Sequence, residues 1–398
     1  MATRIKALVK PEILVWARNS AGFNLSEAAA KIDVAEEKLA GWEAGEDAPS
    51  IPQLRRIAAA YKRPLAVFYL QTVPTDFQVL RDLRRLPGSG LRRLSPALML
   101  EVRRAIQRRE LALELTADLG QKVPAFTLQA TLTEDPEAVG SRIRNAFSIA
   151  NDEQARWRDP DGRAAFNGWR SRIEDAGVLV FQATSFDAEE ASGFAVAEDR
   201  APLIVVNRKD PPTRRSFSLL HELAHLMLHV SGVSDLHTDD ARPPEDQAIE
   251  VFCNHVAAAA LIPKGWLLNE ARVVARGARA TTWTDSEIAD LARTFSVSRE
   301  ALVRRLLTFG RTTEAFYRQK RGQYLAEYLA QRQKQREETS GEGIPRNMPQ
   351  ETVSNFGGPL VRMILGNYYQ DRLTLSDVAG YLGIKTKHIP KLEQMAGF

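Results

Sequence analysis

Residues 216–229 read SFSLLHELAHLMLH, and this stretch decides the fold of the central part of the chain. Its apolar residues recur at helical spacing, so it predicts a helix. His221 and His225 are four residues apart and lie on one face of that helix, where both imidazoles can bind a single zinc ion. Glu222 can then reach the metal-bound water and act as a general base. The alternative interpretation is a surface helix with two unrelated histidines.

A third metal ligand is expected downstream of the two histidines. The metzincin pattern needs Gly at position 228 and His at position 231, but the sequence has Leu228 and Ser231. A glutamate on a following helix is the other common solution, and Glu250 lies near the start of a helix predicted over residues 247–261. Asn254 is four residues further on and shares that face, where it can orient a ligand. Glu245 is also acidic, but the sequence places it in a loop before the helix, so Glu250 is preferred.

Other histidines and the cysteine near this motif are assigned different roles. His229 falls one helical turn beyond the ligands and is expected to pack or to meet solvent. His255 points about 100° away from Asn254 on the second helix and is interpreted as a surface residue, with donation to a transition-state oxyanion as the alternative. His237 is expected in a solvated loop, and Cys253 is expected to be a small buried residue.

Length and composition restrict the class of protein. The 398 residues suffice for two to four domains, and 44% hydrophobic with 26% charged residues is ordinary for a globular chain. A single cysteine excludes a disulfide framework and cysteine-rich zinc modules. The N-terminal stretch lacks the apolar core of a signal peptide, and no apolar run is long enough to span a membrane. We therefore expect a cytoplasmic protein without a membrane partner, and its oligomeric state stays unassigned.

Positive charge is concentrated in one segment of the chain. Nine arginines and two acidic residues lie between Arg81 and Arg109, whereas the formal net charge of the whole chain is only +4. Such a run can bind phosphates, and a solvated helix face is the alternative interpretation.

The central motifs resemble those of the ImmA/IrrE metallopeptidase family over about residues 135–310. The resemblance is carried by GVLVFQ at 177–182, LIVVN at 203–207, DPP at 210–212, the stretch 215–229 around HELAH, EVFCN at 250–254 and LIP at 261–263. Members of this family are gluzincin-like zinc endopeptidases that cleave a helix-turn-helix repressor.

The resemblance implies a specific site. Zinc would be held by His221, His225 and Glu250, and Glu222 would be the general base. The sequence has Ala224 where the family commonly has Gly and Cys253 where it commonly has Ala. Both residues are small, so the implied site is unaffected.

Residues 11–70 resemble the XRE (Cro/repressor-like) helix-turn-helix. The resemblance is carried by LSEAA at 25–29, WEAG at 42–45, PS at 49–50 and LRRIA at 54–58. It implies a recognition helix at 35–43. Contacts to DNA or to a protein partner are expected at Glu36, Glu37, Lys38, Arg55 and Arg56. The two glutamates are unfavourable beside phosphates, so docking of a similar repressor domain competes with sequence-specific DNA binding.

The predicted fold is α+β and mostly helical, in five segments. They are an all-α helix-turn-helix domain (1–72), an arginine-rich helical connector (73–134), a gluzincin-like metallopeptidase domain with a small sheet (135–310), a helix and linker (311–350) and a small helical C-terminal domain (351–398). Residues 285–306 and 373–393 also have helix-turn-helix shape. The first of these is assigned to the peptidase unit, and the second has no assigned role.

Two functions are consistent with the sequence. The first is an intracellular zinc endopeptidase that makes site-specific cuts in a helix-turn-helix transcriptional repressor or antitoxin and so derepresses stress-response or mobile-element genes. The second is a non-proteolytic DNA-binding transcriptional regulator that uses the metallopeptidase fold as a sensor or partner-binding module. The intact Glu222 favours the first, because hydrolysis needs the base and metal binding does not.

Overall fold

The computed structural model describes residues 5–74, 81–82, 94–159, 161–234, 244–338 and 347–397. Its architecture is α+β and mostly helical, as the sequence predicts. Two compact units are present, one of Met1–Arg81 with Gly88–Arg108 and the other of Asp82–Pro87 with Arg109–Phe398. The predicted connector 73–134 is divided between these units. The other domain boundaries stay predictions.

Short helices form the helix-turn-helix part of the first unit. They are α1 (Pro11–Asn19), α2 (Leu25–Ile32), α3 (Glu36–Ala44) and α4 (Ile51–Ala60), followed by a 3-10 helix, Leu65–Tyr69. Residues at its two ends determine where α2 begins and ends. Asn24 caps its N-terminus in a reciprocal pair of hydrogen bonds with Glu27, and Asp33 ends it with a left-handed φ of 58°.

A buried ion pair fixes α1 against α3. Arg18 Nε donates to Glu43 Oε1 at 2.8 Å, and a second Arg18 nitrogen donates to Glu43 Oε2 at 2.9 Å. Both side chains are largely buried. Glu43, although it belongs to the predicted recognition helix, is therefore engaged inside the domain.

A small sheet forms the centre of the second unit. Its strands are β2 (Leu179–Ala183), β3 (Gly193–Val196), β4 (Leu203–Asn207) and β5 (Gly232–Ser234), and the two-residue strand β1 (Arg81–Asp82) is divided by the boundary between the units. β4 pairs in parallel with β2 and antiparallel with β3, and β3 also pairs antiparallel with β5. All residues of β2 to β5 are buried, which explains why β2 and β4 are mostly apolar along their length and do not alternate with polar residues.

Helices occupy most of the remaining chain up to residue 338. They are α5 (Pro96–Asp118), α6 (Pro136–Ala146), α7 (Asn151–Arg156), α8 (Arg163–Asp175), α9 (Pro212–Met227), α10 (Pro244–Leu261), α11 (Lys264–Asn269), α12 (Ala271–Arg276), α13 (Asp285–Phe295), α14 (Arg299–Thr308) and α15 (Glu314–Glu338).

Two of these helices begin earlier than the sequence predicts. α9 begins at Pro212 rather than near 216, and α10 begins at Pro244 rather than near 247. Each has proline in its first turn, where the missing N–H costs no hydrogen bond. The placement of Glu245 in a loop is therefore wrong, because this residue lies inside α10.

Helices form the C-terminal part of the chain, and the first of them packs against strand β2 of the second unit. They are α16 (Met348–Phe356), α17 (Gly358–Tyr369), α18 (Leu375–Leu382), a 3-10 helix (Thr386–His388) and α19 (Ile389–Ala396). Arg170 on α8 and Gln182 on β2 both donate to the carbonyl of Ser354 on α16, each at 2.9 Å.

Among the described residues, no helix combines the length and apolar composition needed to cross a bilayer.

Candidate metal centre

Three side chains from two helices converge in the interior of the second unit. His221 and His225 project from α9, and their Nε2 atoms are 3.0 Å apart. Glu250 projects from α10, with one carboxylate oxygen 3.5 Å from His221 Nε2 and the other 3.3 Å from His225 Nε2. All three side chains are buried. The structure thus brings the three predicted ligands together.

This donor set fits a zinc ion. The three ligand atoms lie within 4.8 Å of one another. Ligand atoms about 2.0–2.1 Å from zinc at tetrahedral angles are about 3.3 Å apart, which is close to the spacings observed. Two imidazole nitrogens that face each other cannot both donate, so at least one presents a lone pair that a cation would satisfy.

Glu222 is buried beside this cluster. Burial and the charge of Glu250 raise the pKa of Glu222 well above its ordinary value, against the opposing effect of a hydrogen bond from Ser234. Its Oε2 accepts no hydrogen bond from the described residues. The carboxyl group therefore holds a proton more readily than an exposed glutamate and has one oxygen available.

The pKa of Glu250 is shifted in the opposite direction. Burial alone would raise its pKa, but His221 and His225 together bring the pKa below its usual range. Burial raises the pKa of the Cys253 thiol well above normal, and the carboxylates of Glu250 and Glu222 add to the effect. Cys253 is therefore a buried thiol rather than a nucleophile, in agreement with the sequence interpretation.

The other residues predicted near the site lie in several places. Asn254 is buried on α10, and its Nδ2 has no hydrogen-bond partner among the described residues, so its orienting role stays a prediction. Partial burial and the charges of Arg305 and Arg304 lower the pKa of His255, which is consistent with a residue on the far side of α10. His237 lies outside the described residues.

His229 is exposed to solvent, as predicted, but it does not lie on the helix. The sequence places it one turn further along the same helix, but α9 ends at Met227. His229 follows with a left-handed φ of 54° and so turns the chain away from the helix axis. The helix ends here because the chain must turn back to enter β5.

Ser234 at the end of β5 belongs to the site, and the sequence analysis did not identify it. Its Oγ is 3.2 Å from His225 Nε2, and its hydroxyl also hydrogen-bonds the carboxyl group of Glu222. Since the contact depends on the pairing of β5 with β3, local sequence spacing carries no signal for it.

The residues predicted to contact DNA or a partner lie on the surface of the first unit. Glu36, Glu37 and Lys38 are exposed in the first turn of α3, and Arg55 and Arg56 are exposed on α4. An Arg56 guanidinium nitrogen lies 3.6 Å from Asp33 Oδ2. Their binding roles stay predictions.

Comparison with protein families now identifies both regions. Residues 173–307 match the IrrE N-terminal-like domain of the M78 peptidases. This chain contains a region similar to the IrrE-like peptidase domain. Residues 14–68 match a helix-turn-helix family. Both ranges fall inside the stretches where the sequence resembles these families, so the resemblance is confirmed, and the converging His221, His225 and Glu250 all lie in the IrrE-like domain. A comparison with curated proteins gives no match to the chain.

Proposed function

We propose that the chain is a zinc-dependent endopeptidase that makes site-specific cuts in a helix-turn-helix transcriptional repressor or antitoxin. Such cuts would derepress stress-response or mobile-element genes. The observation that carries the proposal is the convergence of His221, His225 and Glu250 within 4.8 Å beside a buried Glu222. The IrrE-like domain itself indicates a peptidase.

Each residue of the site has a different role in the proposed amide hydrolysis. A zinc ion held by His221, His225 and Glu250 would supply Lewis acidity, which activates water and polarises the scissile carbonyl. Glu222 would take the proton from the attacking water and return it to the leaving amine, because its carboxyl group is buried beside the three ligands and its Oε2 accepts no hydrogen bond from the described residues. Glu250 stays anionic and balances part of the charge of the ion.

The first unit supports a protein substrate of its own fold. The first turn of α3 exposes Glu36 and Glu37, which repel the phosphates of DNA. The same acidic surface is compatible with the basic face of a second helix-turn-helix domain. A repressor domain is therefore the substrate class that the chain is best equipped to bind.

New protein N-termini in host cells test this function. Wild type is compared with Glu222→Gln and with Glu245→Gln, an exposed glutamate on α10 that lies outside the cluster. We expect one or a few new termini with wild type and Glu245→Gln and none with Glu222→Gln, although all three proteins retain metal. Identical termini in all three, at rest and under stress, would contradict the proposal.

A DNA-binding regulator without proteolysis is the second candidate, favoured by the helix-turn-helix match and the exposed Arg55 and Arg56. If these arginines bind phosphates, their joint replacement by alanine lowers the slope of log affinity against log salt by about 2. Regulation that survives Glu222→Gln but is lost in the double arginine variant would support this candidate over the peptidase.

A further inference from the structure

Ser234 contacts both the proposed base and one proposed ligand. Its Oγ lies 3.2 Å from His225 Nε2, and its hydroxyl hydrogen-bonds the Glu222 carboxyl group. The residue is fully buried. A hydroxyl carries one proton, so it cannot donate to Glu222 and to His225 at once.

One distance places Ser234 Oγ next to a proposed ligand atom. It is separated from His225 Nε2 by 3.2 Å, and Nε2 is separated from its two other neighbours in the cluster by 3.0 Å and 3.3 Å. All three values are close to the edge of about 3.3 Å in a tetrahedral zinc shell. If the serine proton goes to Glu222, Oγ and Nε2 face each other with lone pairs, which is the arrangement of two atoms that share one cation.

The backbone holds Ser234 at this position. In the antiparallel pairing of β3 with β5, Gly193 lies opposite Ser234, and the Ser192 N–H donates to the Ser234 carbonyl at 3.2 Å. Alternation along a strand directs the side chain of Val233 to the other face of the sheet. The pairing of β5 with β3 therefore directs the hydroxyl of Ser234 towards the cluster.

We propose that the Ser234 hydroxyl takes the fourth position of the metal centre and so competes with the water that attacks the substrate. The inference rests on the proposed function, because it needs a metal at His221, His225 and Glu250. The further point is that, in this conformation, Ser234 would occupy the metal position that the attacking water needs. Hydrolysis then requires Ser234 to leave the metal, by a shift of β5 or a change of its rotamer.

Cobalt substitution tests the position of the side chain directly. The full-length chain is loaded with Co²⁺ as wild type, Ser234→Cys and Val233→Cys, and bound cobalt is counted by elemental analysis. A thiolate that binds Co²⁺ gives an intense charge-transfer absorption in the near ultraviolet. We expect this band in Ser234→Cys at one equivalent of Co²⁺, and its absence in Val233→Cys and in wild type, which controls for Cys253.

A second variant covers the case in which the cysteine variants do not fold. Ser234→Ala opens the fourth position, so acetohydroxamate should bind its Co²⁺ form about tenfold more tightly than the wild-type form. Circular dichroism checks that the fold is retained. Equal hydroxamate affinities, or a Ser234→Cys spectrum like that of wild type, would overturn the inference while the metal centre stands. A wild-type chain that binds no Co²⁺ would instead refute the proposed function.

Discussion

Gly193 on β3 lies directly against the carboxyl group of Glu222 on α9. A Cβ added at Gly193 would come within 3.2 Å of Glu222 Oε1 and within 2.7 Å of the backbone oxygen of Val205. The second distance is too short for any real contact, and backbone cannot move aside as a flexible side chain can. The sheet therefore sets the position of the proposed base, and it does so through a residue that has no side chain.

Gly193→Ala should accordingly impair both folding and activity. We expect the free energy of unfolding to fall by about 1–3 kcal/mol, as in other overpacked sites, and cleavage to fall more than about tenfold through the displaced carboxylate. Denaturant unfolding and the cleavage rate measure the two effects. Gly265→Ala on α11 is the control, because no described atom lies within 4 Å of its added Cβ. Wild-type cleavage by Gly193→Ala would show that the contact does not position Glu222.

Gly140 allows α6 to approach α10, the helix that carries Glu250. A Cβ at Gly140 would meet Ala259 Cβ at 2.6 Å and the Ala260 backbone nitrogen at 2.9 Å. We expect Gly140→Ala to lower the free energy of unfolding by about 1–3 kcal/mol. Gly322→Ala on α15 has no described atom within 4 Å and should be neutral or slightly stabilising. Chemical denaturation of both variants distinguishes helix crossing from the general effect of removing glycine.

A buried arginine depends on one carboxylate for its charge balance. Arg305 is 2% exposed and donates to both oxygens of Glu137, at 2.5 Å and 2.7 Å. Glu137→Ala leaves this guanidinium without its anion and should cost about 1–3 kcal/mol of stability, less than a fully buried pair because Glu137 is partly exposed. Glu314→Ala, which removes the exposed pair with Arg318, should change stability by less than about 0.5 kcal/mol. Equal losses in thermal unfolding would contradict this expectation.

Asp285 should contribute to the acid sensitivity of the fold. Hydrogen bonds from Lys320 and Gln323 lower the pKa of Asp285 below its ordinary value. A carboxyl group with a lowered folded-state pKa stabilises the protein above its unfolded pKa of about 3.9, and this stabilisation is lost as the pH falls through the folded value. Asp285→Asn should therefore be less stable than wild type at pH 6, and the difference should shrink by pH 3. Urea unfolding at the two pH values gives the comparison, with the exposed Asp152→Asn as control. If the stability difference between wild type and Asp285→Asn grows as the pH falls, the expected direction of the pH dependence is wrong.

Metal should stabilise the fold through the three proposed ligands. A ligand that binds only the native state raises stability by RT ln(1 + [L]/Kd). Adding Zn²⁺ to metal-free wild type should raise the unfolding temperature, and Glu250→Gln should lose most of that increase. His388→Ala, far along the chain on a 3-10 helix, should respond like wild type. A zinc-induced shift that survives in Glu250→Gln would place the ion elsewhere.

Residues placed by helical periodicity could be predicted from the sequence, and residues placed by strand pairing could not. His221 and His225 share a face because of their spacing alone, and Glu250 follows from the start of the next helix. The position of Glu245 is predicted wrongly because a pair of prolines is also typical of a loop, although proline is favoured in a first helical turn. Gly193 and Ser234 reach Glu222 only through the register of β3 with β5, which is a non-local property of the chain.

The carbonyl of Ser354 on α16 affects where this chain can be truncated. Arg170 and Gln182 both direct buried donors to the Ser354 carbonyl. A fragment that stops near residue 310 retains both donors and loses their acceptor, so it loses two hydrogen bonds that contribute about 0.5–1.5 kcal/mol each. It would also expose the buried strand β2, against which α16 packs. The IrrE-like region is thus packed against chain from beyond its family match, and a protein truncated there should aggregate where the whole chain folds.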